Sequence, residues 1–364
     1  MMKIGKRILL GLAAFMALSI LITVVYLARG GAFKTIESEF EGACVDYPLD
    51  GSAEDIHIDR ERGIAYLSVL DRMGVARGEP PKPGNIMALD LNTMELGNAL
   101  ATTTDHMSPH GISLYISPTG ERTLFMINHP ADRVNGTETI NRYTETSPGQ
   151  FSLTQVLSHP DVISPNDLVA VGPKQVYVAN DKGAANGWQK FLENIFGVGY
   201  SKLVYFDGDE GSTVLDDVAS GGGINASTDG TLIYIGETGG QTLRVLNRAA
   251  DGSLTDATKV KLGTSPDNVD VAADGSLTIA AHPNLMALIK HFINGTPAPS
   301  QVLHVTTDSD DALEYDVEEI YLNTGEQISA SSVGATYKNK LLIGSITAKK
   351  VLICTMEDGL ETDD

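Results

Sequence analysis

Hydrophobic and polar positions along this chain recur in a unit that appears six times. Each unit opens on a polar turn, passes through a short alternating strand, reverses at a tight turn and ends in a strongly apolar strand. The units are DIHIDRERGIAYLS from Asp55, GISLYISPTGERTLFMIN from Gly111, DLVAVGPKQVYVAN from Asp167, INASTDGTLIYIGE from Ile224, VDVAADGSLTIAA from Val269 and SVGATYKNKLLIGS from Ser332. Successive starts lie 56, 56, 57, 45 and 63 residues apart, the spacing of four-stranded blades with loops of varying length. Asp-Gly, Thr-Gly and Lys-Asn separate the β-patterned runs, a strong local signal for hairpins. Each hairpin is expected to form the inner half of a blade, giving an all-β, six-bladed β-propeller over residues 31–364. A β-sandwich would leave the regular spacing as coincidence.

Two stretches break the β pattern. Trp188, Phe191, Leu192, Ile195 and Phe196 fall on one helical face, and Leu285, Met286, Leu288, Ile289 and Phe292 nearly repeat that arrangement. Both follow an apolar strand of a repeat, so two or three short helices are expected near one rim, packed on the propeller, serving as a hydrophobic lid or touching the bilayer. The N-terminus differs from all of this. Lys3, Lys6 and Arg7 precede an uncharged run from Ile8 to Ala28, long enough as a helix to match the roughly 30 Å hydrocarbon core of a bilayer. The run is longer than the usual apolar region of a signal peptide and ends Val-Tyr-Leu-Ala-Arg, so residues 1–30 are expected to be an uncleaved signal anchor. The basic flank stays cytoplasmic and the body is exported, with secretion after cleavage as the alternative.

Composition narrows the partners. The 26 basic against 47 acidic residues give a net charge of −21, a surface that repels nucleic acid and suits a cation. The two cysteines, Cys44 and Cys354, lie before the first repeat and after the last. A circular fold brings them together, and export supplies the oxidising compartment in which they can pair.

Candidate chemistry gathers where the repeats begin. Glu54 and Asp55, Asn166 and Asp167, Asn225, and Asp267 and Asn268 all stand at the polar start of a blade's first strand, a position that points toward a propeller axis. Carboxylates and amide carbonyls without a compensating cation are hard oxygen ligands, of which Ca²⁺ takes about six to eight. Turn capping accounts for any one of them but not for the set. His110, in Ser-Pro-His-Gly-Ile-Ser, and His129, in Ile-Asn-His-Pro, share the second repeat and are candidates for general base and proton relay. His282 repeats the place of His129 in the fifth unit and is expected to line the pocket. Neither a G-x-S-x-G elbow nor an HExxH helix occurs.

In these motifs the chain resembles the paraoxonase and arylesterase family, from Cys44 to Cys354. The resemblance rests on Ala-Glu-Asp at 53–55, Pro-His-Gly-Ile-Ser at 109–113, Asn-His-Pro at 128–130, Pro-Asn-Asp at 165–167, Gly-Ile-Asn at 223–225, Asp-Asn at 267–268 and His-Pro-Asn at 282–284. It implies a propeller holding two calcium ions in its central tunnel. Glu54, Asn166, Asn225, Asp267 and Asn268 would bind the catalytic ion; Asp55, Asp167 and the Ile112 carbonyl would hold the structural one. His110 and His129 would form the family's proposed dyad, and Cys44 and Cys354 its terminal disulfide. Lys182 departs from the pattern, standing where the family commonly places a pocket histidine, as does Ala281, which precedes His282 where mammalian members carry a free cysteine.

The implied activity is calcium-dependent hydrolysis of lactones and aryl esters, with a lipophilic lactone preferred and Asp267 a rival to His110 as base. The alternatives are a sugar lactonase of the gluconolactonase-like type and a non-catalytic, membrane-tethered binding scaffold.

Overall fold

The computed structural model describes residues 2–80, 82–104, 106–307 and 313–356. Its strands form six four-stranded antiparallel sheets. The first strands, Ser52–Asp59, Pro109–Ile116, Pro165–Ala170, Gly221–Ala226, Ser265–Val271 and Ser331–Tyr337, pack against one another in a ring, so the expected six-bladed propeller and its inner hairpins are present.

The strongly apolar second strands have a simple cause. Each is covered on both faces, so alternate side chains enter different blade interfaces. In the strand Arg122–Asn128, Leu124 and Met126 pack toward the preceding blade, while Phe125 and Ile127 pack toward the following one. Six apolar clusters result among the described residues, one at each junction between blades.

The sixth blade closes the ring with both ends of the propeller. The strand Gly42–Pro48 pairs as the outer strand with Lys350–Met356, placing Cys44 directly opposite Cys354. The two are joined in a disulfide spanning 310 residues of sequence.

Among the described residues there are four helices: α1 (Met2–Arg29), α2 (Arg72–Ala76), α3 (Gly187–Phe196) and α4 (Leu285–Asn294). Helices α2, α3 and α4 each follow the second strand of a blade, which returns the chain to the end where the first strands begin. Asn186 and Asn284 cap the starts of α3 and α4, and Gly197 and Gly295 end them in left-handed conformation (φ 65° and 78°). Their apolar residues are only partly packed: Trp188 is 67% exposed and Ile293 77%.

Residues Lys6–Arg29 of α1 are long and apolar enough to cross a membrane. The last turn of α1 docks on the same end of the propeller. Arg29 donates to the Gly239 carbonyl (2.6 Å), Gln241 donates to the Arg29 carbonyl (2.7 Å), and the Leu285 amide donates to the Gly30 carbonyl (2.8 Å).

Beyond the pairing of the two terminal strands, the disulfide restrains ring opening through loop entropy. For a loop of 310 residues, chain-entropy scaling gives at most about 6 kcal/mol. Replacing both cysteines by serine is expected to lower the midpoint of thermal unfolding by calorimetry, and reduction of the native protein should reproduce the shift. An unchanged midpoint would show that packing of the sixth blade alone holds the ring.

Candidate active site

The first strands bring the oxygen ligands to the axis at two depths. At the upper level stand Glu54, Asn166, Asp267 and Asn268. Glu54 and Asn268 are 1% exposed and Asp267 6%. The Asn268 side-chain amide donates to the Glu54 carbonyl (3.0 Å) and to Glu54 Oε1 (3.2 Å). That orientation leaves Asn268 Oδ1 buried without a hydrogen-bond partner, as are Asn166 Oδ1 and Glu54 Oε2. Orphaned buried acceptors cost free energy, and three at one depth of one channel constitute a donor set suited to a hard cation.

One level deeper, Asp55 accepts from the Ile56 amide (2.8 Å) and, across the blade junction, from the Ile112 amide (2.7 Å). Asp167 repeats this with the amides of Leu168 and Ile224, both at 2.8 Å. Gly111 is required here, because a Cβ would lie 2.4 Å from Asp167 Oδ1. Both carboxylates, with Ile112 and Asn225, line a cavity of about 10 Å³, room for one water-sized occupant. Burial first, and then the neighbouring carboxylate (Glu54 for Asp55, Asp55 for Asp167), push both carboxyls well above the usual range, a cost that a cation between them removes.

Asn225, grouped with the upper ligands in the sequence, lies at this deeper level. Its Oδ1 accepts from the Ala226 amide (2.9 Å) and its amide donates to the Val269 carbonyl (2.8 Å). The reason is its place relative to the β-bulge that opens each first strand: Asp267 lies within the bulge between Pro266 and Val269, whereas Asn225 follows the one between Gly221 and Ile224, so Gly222, not Asn225, occupies the place in its blade that Asp267 holds in the next.

The histidines form a chain. His110 Nδ1 and His129 Nε2 are 2.6 Å apart, and His129 Nδ1 is 2.7 Å from Glu138 Oε2. At the other end His110 Nε2 stands 3.4 Å from Glu54 Oε2, an ionic neighbour rather than a hydrogen bond. An ionised Glu138 assigns the His129 proton to Nδ1, which makes its Nε2 the acceptor for His110 Nδ1 and frees His110 Nε2. Burial, then the charges of His110, Arg133 and Arg72, hold His129 well below the usual histidine range. Burial pushes Glu54 up, but His110, Arg72 and Asn268 together outweigh it and hold Glu54 below its ordinary value. A cavity of about 370 Å³ opens beside the pair, walled by Leu70, Val75, Pro83, Met107 and Pro130.

His282 contacts Asp267 (Nε2 to Oδ2, 3.0 Å). Burial raises the Asp267 carboxyl, with His282 opposing. Lys182 joins neither histidine group; it lines a separate cavity under α3 and α4.

Two neighbours were not foreseen from the sequence. Glu138 sits across from His129 because the return strand pairs Thr139 with Asn128, a register that depends on how the loop 129–138 closes. Arg72 reaches from α2 to the carbonyls of Pro109 (2.6 Å) and Ser52 (3.0 Å), coming within 4.0 Å of Glu54, and nothing in the local sequence marks it.

The sequence profile of the Arylesterase family matches residues 45–356. This chain belongs to that family. It is 30% identical over 305 residues to serum paraoxonase/arylesterase 2 of Bos taurus, covering 82% of this chain and 84% of that protein. It is 29% identical over 317 residues to serum paraoxonase/lactonase 3 of Mus musculus, covering 85% and 87%. Among solved structures, a luciferin-regenerating enzyme shares the fold with a TM-score of 0.50 at 12% identity, covering 87% of this chain and 97% of that one. A putative gluconolactonase gives a TM-score of 0.49 at 13% identity, covering 88% and 94%. Kinship with the arylesterases supports a lactonase or esterase activity and is consistent with a metal cofactor.

Because His129 is held neutral in the fold and charges once unfolded, it lowers stability as pH falls below the ordinary histidine pKa of about 6.5. NMR of ring-labelled protein is expected to show no protonation of His129 between about pH 5 and pH 8, a window centred on that value. A titration step inside the window would contradict the buried relay. Glu138→Leu, which removes the acceptor of His129 Nδ1, is expected to cost about 1–3 kcal/mol in chemical denaturation.

Proposed function

We propose that this chain is a calcium-dependent hydrolase of lipophilic lactones and aryl esters, exported and membrane-anchored. The observation that carries this reading is the juxtaposition of the orphaned oxygens of Glu54, Asn166 and Asn268 with the His110–His129 pair, through Glu54. Glu54, Asn166, Asp267 and Asn268 would hold a catalytic ion; Asp55, Asp167, Asn225 and the Ile112 carbonyl would hold a structural one. Bound calcium supplies Lewis-acid polarisation of the ester carbonyl and stabilises the oxyanion.

The remaining roles belong to the protein. His110 takes a proton from the attacking water at Nε2, His129 accepts the Nδ1 hydrogen bond that orients it, and Glu138 fixes the tautomer of His129. Asp267 is the rival base, held by His282. The cavity beside the dyad, apolar at Leu70, Val75, Met107 and Pro130 and charged at Arg72, Lys82 and Arg133, would take the lactone ring or the aryl group of an ester. Two ligand levels and a hydrogen-bonded histidine pair favour this reading over a single-metal sugar lactonase or an inert scaffold.

Residues 1–30 form the anchor and residues 31–364 the catalytic propeller, placed on the non-cytoplasmic side by the basic N-terminal flank. The disulfide suits that compartment. Exposed Trp188, Phe196, Phe292 and Ile293 surround the docking point of α1 and would rest in the interface of the same bilayer.

Turnover of aliphatic lactones and phenyl acetate is expected with calcium and lost with a chelator. Asp267→Ala should abolish hydrolysis while the fold survives. Asp55→Ala, Asp167→Ala and Asn225→Ala should instead lower the melting temperature and its dependence on calcium, since an ion bound to the folded state stabilises it. Equal melting losses in both sets would contradict the two-ion division. His110→Gln is expected to lower lactone kcat by about 10²- to 10⁴-fold with little change in stability. Near-normal turnover would remove His110 from proton transfer and leave Asp267 as the base.

A further inference from the structure

A second cavity, of about 460 Å³, lies between the last turn of α1, helices α3 and α4, and the loops of the third to fifth blades. This volume is within the range of small-molecule sites, about 300–1,000 Å³. Its roof is apolar: Tyr26 of α1, Ile195 of α3, and Leu285, Met286 and Ile289 of α4. Its floor is polar and includes Ser265, which is 1% exposed and whose hydroxyl oxygen has no hydrogen-bond partner. Ser265 pairs directly with His282, the partner of Asp267, so the floor adjoins the upper ligand level.

One wall of the cavity is α1, fastened there by the bonds of Arg29, Gly30 and Gln241. Gly30 also packs closely, since a Cβ on it would lie 3.1 Å from Met286 Cε. Beyond that turn, the apolar side chains of α1 from Ile8 to Val24 are largely exposed, so the roof runs directly into the surface of a helix suited to the bilayer.

We infer that this cavity binds a single acyl chain entering from the bilayer along α1, with the oxygen-bearing head of the amphiphile at Ser265. The apolar roof suits an acyl chain, whose polar end would meet the orphaned Ser265 hydroxyl on the side of the cavity that also holds Lys182 and Thr238, whereas a polyhydroxylated ligand would leave hydroxyls unpaired against Leu285 and Met286. The inference deepens the hydrolase reading on which it rests: the occupant is the tail of the ester substrate, and the membrane helix is one wall of its site.

The test uses the full chain in phosphatidylcholine nanodiscs, with a diazirine-bearing palmitic acid as probe and lactones of increasing side-chain length as substrates. Crosslinks to peptides containing Tyr26 or Met286 are expected, displaced by a long-chain lactone. Met286→Trp, which fills the cavity, should cut labelling and lower the long-chain to short-chain ratio of kcat/KM by about tenfold, the burial of about two methylene groups. Ser265→Ala keeps the space and removes the hydroxyl; it should weaken labelling without a change in melting temperature, so a misfolded Met286→Trp protein leaves the question open to decision. Labelling that misses these peptides, or that both variants leave intact, overturns the site. Labelling that no lactone displaces identifies a resident bilayer lipid and overturns the substrate assignment. Absence of turnover on every ester would defeat the hydrolase reading, while the labelling still decides whether the cavity takes an acyl chain.

Discussion

Four carboxylates, Glu54, Asp55, Asp167 and Asp267, meet buried at the axis of this propeller, and the rest of the structure is arranged around holding them there. Arg72 approaches from one side, but at 4.0 Å and through Glu54 alone. The deeper pair is held by backbone amides of adjacent blades, so each carboxylate is both part of the axial cluster and a tie between neighbours. Mutual repulsion at the centre and adhesion at the blade junctions therefore share the same atoms. A cation at the axis would convert that conflict into cohesion and so would tie metal occupancy to the fold as well as to chemistry.

Away from the axis the blades are tied by different means. Six apolar clusters fill the junctions, and a few buried charges cross them. Arg122 joins Asp59 of the first blade at 2.6 Å, and Arg244, 2% exposed, bridges Asp217 of the third blade and Asp256 of its own. One end of the propeller carries the four helices, the histidine chain and both large cavities described above. Among the described residues the opposite end consists mainly of tight turns, so variation in loop length falls on the side of the helices and cavities.

Much of the fold was legible in the sequence because its signals are local or periodic. The hairpins, the apolar second strands, the caps of α3 and α4 and the flanking cysteines each follow from short stretches of residues. The site was legible only as far as it follows strand starts. Asn225 belongs to the deeper level because it follows the bulge of its strand whereas Asp267 lies within one, and bulges leave little trace in composition. Glu138 reaches His129 through the closure of a ten-residue loop, and Arg72 reaches Glu54 from a short helix on the first blade. The joining of α1 to Gly239 and Leu285 spans over 200 residues of sequence. Lys182 and His282 look alike as pocket residues in the sequence, yet Lys182, in the loop before α3, lines the cavity under α1 while Asp267 retains His282. Long-range register decides these placements, and it is the property a single sequence carries least well.

The pairing of Gly42–Pro48 with Lys350–Met356 bears on the order in which the molecule can mature. Five blades are each built from one continuous stretch and can assemble as their residues emerge. The sixth cannot, because its outer strand emerges first and must wait, unpaired, for the final residues of the propeller. Closing so large a loop is entropically slow. During that interval one sheet edge stays exposed and two thiols stay reactive, and the tethering of α1 to a bilayer would keep neighbouring chains spaced while the ring is still open.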